Sequence, residues 1–412
     1  MSYLLPTYAN FPLTAVRGEG VRLWDDAGNS YLDFCAGIAT CSIGHCHPKL
    51  FKAISSQAST LMHCSNLYLN PQKLELARTL VEDFVKTPGK VFFGNSGAEA
   101  NDGMIKTARR FGHARPNKNG DARYEVITFN SSFHGRTLGS LAATAQPKVH
   151  EGFDPMLPGF RYVPFNDLDA LKAAINETTA GIMLEPIQGE GGVNEATADF
   201  LEGIAALCEK HDLLLMLDEI QCGLGRTGTK MGWQSICPGL KPDTISWAKG
   251  LGGGFPIGVF YVSDRAVDEN GTELSSLMGA GSHGSTYGGN PLACSAALAV
   301  LKEIDEADLF NNVLQREQQI RAAVTSWNHP VISEIRGKGL LLGFGLDASQ
   351  FEAAEGITPA GHLCKALMAN GLLTVPAGPE TLRWLPPLNV TQTEVAEALE
   401  ILKNTLDSLS IN

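Results

Sequence analysis

A single lysine stands where an apolar run gives way to glycines, in Thr244-Ile-Ser-Trp-Ala-Lys249-Gly-Leu-Gly-Gly-Gly-Phe-Pro-Ile-Gly258. Three chemistries place a lysine beside glycines. A Walker lysine that clamps phosphate needs G-x-x-x-x-G-K-[ST], but here the glycines follow the lysine and no Ser or Thr is adjacent. A dinucleotide loop needs G-x-G-x-x-G, and after Gly250 and Gly252 the last position is Phe255. A Schiff-base lysine needs a partly desolvated amine with room for a flat ring, which small flanking residues give. The third chemistry fits the stretch best, and it predicts partners: an acid for a ring nitrogen, an anion site and a stacking side chain.

Residues of those types stand at similar positions elsewhere. Asp218 follows the apolar run Leu213–Leu217 directly, and a carboxylate buried there is costly unless it meets a cation or hydrogen-bond donors. A helix cap or a structural ion pair explains Asp218 taken alone. Gly94-Asn-Ser-Gly-Ala-Glu-Ala100 lies between a strand pattern and a helix pattern. Its backbone N–H groups and the Ser96 hydroxyl can therefore meet a phosphate at a helix N-terminus; an ordinary tight turn is the plain alternative. Phe133-His-Gly-Arg136 offers a ring for stacking and a guanidinium suited to a carboxylate, where a loop with a core Phe and a surface Arg would read the same. Together with Lys249 these residues supply what pyridoxal 5'-phosphate requires. His134 is a further candidate base, but the lysine already fills that role, so it is read as a supporting residue.

The elements that must position these groups follow from periodicity. Lys90–Phe93, Tyr124–Phe129, Gly181–Leu184, Leu213–Leu217, Thr244–Trp247 and Ile257–Val262 are short apolar runs with little alternation. Such runs suit strands covered on both faces, as in a mainly parallel sheet. Asn70-Pro71 starts a helix with Leu74, Ala77, Val81 and Phe84 inward; Thr197 starts another with Leu201, Ile204 and either Leu207 or Cys208 inward; Asn290-Pro291 starts a third. Strand–helix alternation predicts an α/β fold whose ligands sit beyond the carboxyl ends of the strands. The ends of the chain differ. Asp25-Asp26-Ala-Gly-Asn29 reads as a hairpin, and Thr391-Gln-Thr-Glu394 as a capping box ahead of Val395, Leu399, Leu402 and Leu406. The expected organisation is a large domain over 51–290 and a smaller α+β domain assembled from 1–50 and 291–412.

At 412 residues, 44% hydrophobic and 18% charged, the chain can bury a large core. A net charge of −12 argues against nucleic acid or anionic membrane as partner, since both demand excess Lys and Arg. No apolar run approaches the roughly 18 residues of a membrane span, and the N-terminus lacks a secretory leader, so a cytoplasmic protein is expected. Nine scattered cysteines are read as buried free thiols. Cys41-Ser-Ile-Gly-His-Cys-His47 crowds four potential ligands together, but no second pair follows at zinc spacing, so no metal is expected.

In order along the chain, DFCAGIATCSIGHCHP, FFGNSGAEAND, FHGRTLGSLAAT, LEPIQGEGG, LDEIQCGLGRTG, the Lys249 segment and HGSTYGGNPLA resemble the class-III pyridoxal-phosphate aminotransferases of the ornithine and acetylornithine type. The resemblance implies the fold type I α/β architecture and a homodimer with shared active sites. It implies that Lys249 binds the cofactor carbonyl and later shuttles a proton, and that Asp218 pairs with the pyridine nitrogen. Gln221 would meet the phenolic oxygen, with Ile220 and Phe133 on opposite ring faces and Ser96, Gly97 and Ala98 on the phosphate. Thr286 would reach the phosphate in the neighbouring subunit. Arg136 would clamp the substrate carboxylate, and Glu190 would neutralise Arg383 until a dicarboxylate replaces it. Ile38 stands where relatives acting on free ornithine carry Tyr, leaving space for an acylated side chain. The family branch these features resemble moves the δ-amino group of N-acetylornithine to 2-oxoglutarate; succinylornithine, ornithine and 4-aminobutyrate are the alternative donors. Tyr8-Ala-Asn10-Phe-Pro12 departs from the Tyr-x-Arg-x-Pro common in that branch. The glycines after Lys249 are read as clearance for a ring and a neighbouring subunit.

Overall fold

In the computed structural model, which describes residues 3–351 and 353–409, the apolar runs become strands of one seven-stranded sheet. Its order is Gly89–Gly94, Gly258–Ser263, Thr244–Trp247, Leu214–Asp218, Thr179–Leu184, Glu125–Phe129 and Phe160–Val163. Four pairings are parallel; Gly258–Ser263 alone runs antiparallel to both of its neighbours. The edge strand Phe160–Val163 was not expected, because only Val163 of its four residues is buried and its sequence carries no apolar run.

The runs do not alternate because helices cover both faces. Ile127, Ile182, Leu215 and Leu217 share a core with Leu201 and Ile204 of the Ala198–His211 helix. Val126, Met183, Leu214 and Met216 point the other way, onto Met104, Ala108 and Phe111 of the Gly97–Ala114 helix. Each such side chain removed from water contributes about 2 kcal/mol, so both faces of the sheet hold their helices.

The predicted caps form. Asn70 Oδ1 accepts from Lys73 N (2.8 Å) and Asn290 Oδ1 from Ala293 N (2.8 Å), while Thr197 Oγ1 accepts from Phe200 N at 3.1 Å. Thr391 and Glu394 cap one another reciprocally. Leu74, expected inward, is instead 51% exposed. Leu76 and Leu80, four residues apart, take the inward face instead, which turns Leu74 outward.

Ala15–Glu19, Arg22–Asp25 and Ser30–Asp33 form an antiparallel meander, and Leu372–Leu373 joins its last strand in parallel. The two ends of the chain thus share a sheet. A second small sheet runs Ile332–Lys338, Leu341–Leu346, Thr381–Trp384 and Val375–Pro376. Phe344 and Trp384 pack there against Val395, Leu399, Leu402 and Leu406 of the last helix. All nine cysteines are free, but only Cys208, Cys222, Cys237, Cys294 and Cys364 are buried. Cys35, Cys41, Cys46 and Cys64 reach solvent in part because they lie on turns and loops outside the two cores.

Candidate active site

The parallel strands end at one edge of the large sheet, and the chemistry-bearing residues collect there. Asp218 is the last residue of its strand and pairs in register with Ser246 of the next, three residues before Lys249. Glu185 follows Thr179–Leu184, the Phe133 turn follows Glu125–Phe129, and Ser96 follows Gly89–Gly94. Ser96, Gly97, Ala98, Phe133, Arg136, Glu190, Asp218, Ile220, Gln221 and Lys249 line a single pocket of about 410 Å³. Cofactor sites are of this size.

Lys249 sits at a φ of +39°, a left-handed backbone that a lysine adopts only where its surroundings impose it. Its amine opens to the pocket and is otherwise ringed by protein. Burial pulls its pKa below the usual 10.5, against the opposing pull of Glu190. The glycines after it divide between the chain's own packing and the pocket. A Cβ at Gly252 would lie 1.9 Å from the Phe255 carbonyl oxygen, and one at Gly253 would lie 2.7 Å from Val300. Of the three in a row, Gly254 alone reaches the pocket.

Asp218 Oδ2 accepts from Asn101 Nδ2 and His134 Nδ1, both at 2.8 Å, and Oδ1 accepts from Ile220 N at 3.1 Å. Burial disfavours a charge on His134, yet the bond to Asp218 outweighs it and raises the imidazole above its ordinary pKa. Asn101 was not singled out from sequence; its one signal is a polar residue on the inward stripe of an amphipathic helix, where Met104, Ile105 and Ala108 are also buried. Ser96 Oγ caps that helix by accepting from Glu99 N at 3.2 Å. A Cβ at Gly97 beside it would lie 2.7 Å from Ile220 Cδ1, so any side chain there would displace Ile220.

Arg383 is fully buried and stands behind Glu190, outside the pocket lining. Its Nη1 donates to Glu190 Oε1 (2.7 Å), Gln221 Oε1 (2.7 Å) and the Gly189 carbonyl (2.8 Å), and Nη2 donates to Glu190 Oε2 at 3.1 Å. Gln221 Nε2 donates to Glu190 Oε1 at 3.2 Å, closing the network. Burial resists ionisation of Glu190, but Arg383 more than offsets it and holds the carboxyl at about 2. Arg136 is exposed, with its guanidinium carbon 5.6 Å from the Phe133 ring centroid and no hydrogen bond or ion pair among the described residues.

Two candidates lie elsewhere. Ile38 is half-buried against Ile187, Val193 and Leu385, with Thr40 taking the nearest place in the pocket wall. Thr286 is exposed and outside the pocket. The Cys41–His47 turn is occupied by protein contacts: His45 Nε2 meets Asp33 Oδ2 at 2.8 Å, and His47 Nε2 meets Glu303 Oε1 at 3.5 Å.

The donor set fits pyridoxal phosphate. A helix N-terminus with the Ser96 hydroxyl suits the phosphate, Asp218 suits the ring nitrogen and Lys249 suits the carbonyl carbon. Ile220 and Phe133 both line the pocket, as the two ring faces require.

The sequence model of the family described as aminotransferase class-III matches residues 3–406. Acetylornithine aminotransferase of Caldanaerobacter subterraneus subsp. tengcongensis is 46% identical over 410 residues, covering 99% of this chain and 98% of the relative. Among solved structures, N-acetylornithine aminotransferase of Stenotrophomonas maltophilia superposes with a TM-score of 0.80 at 37% identity, covering 97% of each chain. Ornithine aminotransferase of Toxoplasma gondii, described with partial occupancy of PLP at its active site, superposes with a TM-score of 0.88 at 31% identity over 98% of this chain and 92% of its own.

Proposed function

The chain belongs to the class-III aminotransferases, and from that premise we propose that it moves the δ-amino group of N-acetylornithine to 2-oxoglutarate, a step of arginine biosynthesis. It is a pyridoxal-phosphate-dependent transaminase. When bound, the cofactor's ring serves as an electron sink for the bond broken at the substrate carbon. The chain's own residues do the rest. Asp218, fastened by Asn101 and His134, presents its carboxylate to the ring nitrogen. The Lys249 amine, its pKa lowered by burial, would be available to take a proton from the substrate carbon that bears the amine and deliver it to the cofactor's carbonyl carbon. Arg136, whose guanidinium has no hydrogen bond or ion pair among the described residues, takes the carboxylate common to both donors.

The observation that carries the reading is the Glu190–Arg383 lock. An N-acetylated diamine donor brings one carboxylate and a neutral tail, whereas glutamate brings two carboxylates. With the first, Glu190 stays on Arg383 and no buried guanidinium is left unpaired. With the second, the further carboxylate of glutamate, the one that Arg136 does not hold, replaces Glu190. The side chain of Arg383 is 0% exposed and that of Glu190 27%, so Glu190 is the partner free to leave.

The enzyme works in the cytoplasm as a homodimer. Among the described residues no helix is long and apolar enough to cross a membrane. The exposed Thr286, useless to its own pocket, is available to the partner's phosphate. Residues 51–290 form the cofactor-holding unit, with 1–50 and 291–412 as the unit packed on it, a division supported by the sheet that joins residues 30–33 to 372–373.

The test is a panel of amine donors given to the holoenzyme with 2-oxoglutarate. N-Acetylornithine is expected to give a kcat/KM at least about tenfold above ornithine and 4-aminobutyrate, since a pocket fitted to one tail discriminates by that much or more. A preference for either unacylated donor overturns the substrate assignment. Absence of any visible absorbance with added pyridoxal phosphate overturns the class of chemistry.

A further inference from the structure

Glu185 is a carboxylate in the pocket wall to which no role has been given. It is 6% exposed, and among the described residues it forms no ion pair. Burial pushes its pKa up, with the charges of His134 and Asp218 acting in opposite senses. A carboxylate kept in such a place needs a reason, because an unpaired buried charge is costly.

The reason lies in its two oxygens. Oε1 accepts from Phe133 N at 2.7 Å and Oε2 accepts from Gly189 N at 3.0 Å. The two N–H groups belong to different turns, one after Glu125–Phe129 and one after Thr179–Leu184. The first turn carries the ring face of Phe133. The second carries Glu190, and the Gly189 carbonyl receives Arg383 Nη1. A Cβ on Gly189 would lie 2.1 Å from Gln221 Oε1, the atom that Arg383 Nη1 holds. A carboxylate is the only side chain that offers two acceptor atoms and no donor. Glutamine in the same space could satisfy one of the two N–H groups and would set its own N–H against the other.

We propose that Glu185 is a positioning residue for the transamination: its carboxylate ties the turn bearing Phe133 to the turn bearing Glu190, so that the cofactor-stacking ring and the Glu190–Arg383 lock stand in one fixed relation. This inference rests on the function proposed above and deepens it. Both Glu185 oxygens are engaged by backbone N–H groups, so its part is to hold the turns. It acts through Phe133 on one side and through Gly189 on the other.

The test uses the holoenzyme with Glu185→Gln and Glu185→Asp, the latter keeping two acceptors on a shorter stem. Each half-reaction is followed separately with N-acetylornithine and with glutamate, and the circular dichroism of the resting cofactor band is recorded. In Glu185→Gln the KM for N-acetylornithine, which needs the lock closed, is expected to rise about tenfold, with a distinctly smaller change for glutamate; tenfold is the scale of one lost charge-assisted hydrogen bond. The cofactor band should change in ellipticity as Phe133 is released, and Glu185→Asp should recover part of both effects. Equal losses with both donors and an unchanged band would mean a merely structural residue and overturn the proposal, as would a variant indistinguishable from the parent. If Glu185→Gln does not fold, the same two readouts in Glu185→Asp decide. Should the parent enzyme turn over neither donor, the functional reading fails and the band alone decides for or against Glu185.

Discussion

Asp218 is the residue whose replacement separates cofactor electronics from cofactor binding. Its Oδ2 takes two hydrogen bonds, from Asn101 and His134, and an amide at that position would turn one donor against another. Asp218→Asn is therefore expected to retain the cofactor through Lys249 and the Ser96 turn while kcat/KM falls by about 100-fold or more, the usual cost of removing one partner from a buried charged network. Steady-state rates with N-acetylornithine check this, and a loss under about threefold would sink the role given to Asp218. Asp218 and Lys249 were legible in the sequence because a charge at the end of an apolar strand is an energetic anomaly visible without coordinates. Asn101 and Glu185 were not, although both lie within quoted motifs: each acts through bonds to segments far away in sequence. Arg383 stood out only through family resemblance, since a lone arginine in a strand reads as a surface residue. Its complete burial depends on Glu190, 193 positions away.

At the scale of elements, six of the large sheet's seven strands and the capped helices were readable, and their order was not. Apolar run length and caps such as Asn70 and Thr197 are local properties, whereas the placement of Gly258–Ser263 between Gly89–Gly94 and Thr244–Trp247 is a long-range pairing that no periodicity encodes. That placement has a consequence for the site. Gly258 lies opposite Gly94, and a Cβ on Gly258 would stand 2.0 Å from the Ser96 carbonyl oxygen and 2.8 Å from Ser96 N. Both contacts are with backbone, so no rotamer change relieves them. Gly258→Ala must push the Asn95–Ser96 turn off the helix it caps. Overpacking of this kind costs about 1–3 kcal/mol, and here it falls on the phosphate cradle. The apparent Kd for pyridoxal phosphate, titrated by visible absorbance into apoenzyme, is expected to rise at least about tenfold. An unchanged Kd would show that the phosphate is held elsewhere.

The whole molecule carries a pH signature set by groups that neither the composition nor the net charge of −12 discloses. Burial raises the Glu219 carboxyl to about 8, with the N–H groups of Gly232 and Trp233 easing it only in part. Burial likewise raises Asp243 to about 6, against the pull of Arg265. His45 is raised from 6.5 to about 10, first by its bond to Asp33 and then by Cys41. All three bind a proton more tightly folded than unfolded, so stability falls as pH rises through their ranges. Glu190, held at about 2, works the other way: its stabilisation is complete above 4.5 and is lost as pH falls toward 2. Thermal midpoints should therefore decline as the buffer moves from the acid side of 6.5 toward 10. The His45–Asp33 pair is a separable part of that slope, because it clips the Cys41–His45 turn to the meander shared by the two chain ends. The stabilisation it gives is fully present below 6.5 and fades as the imidazole loses its proton near 10. His45→Gln should accordingly lower the midpoint most on the acid side of 6.5 and hardly at all near pH 10, where Asp33 lacks a cationic partner in either protein. A gap between variant and parent that stays constant with pH, or widens toward the alkaline side, would show that His45 acts there as a neutral packing residue and that the pair contributes no charge.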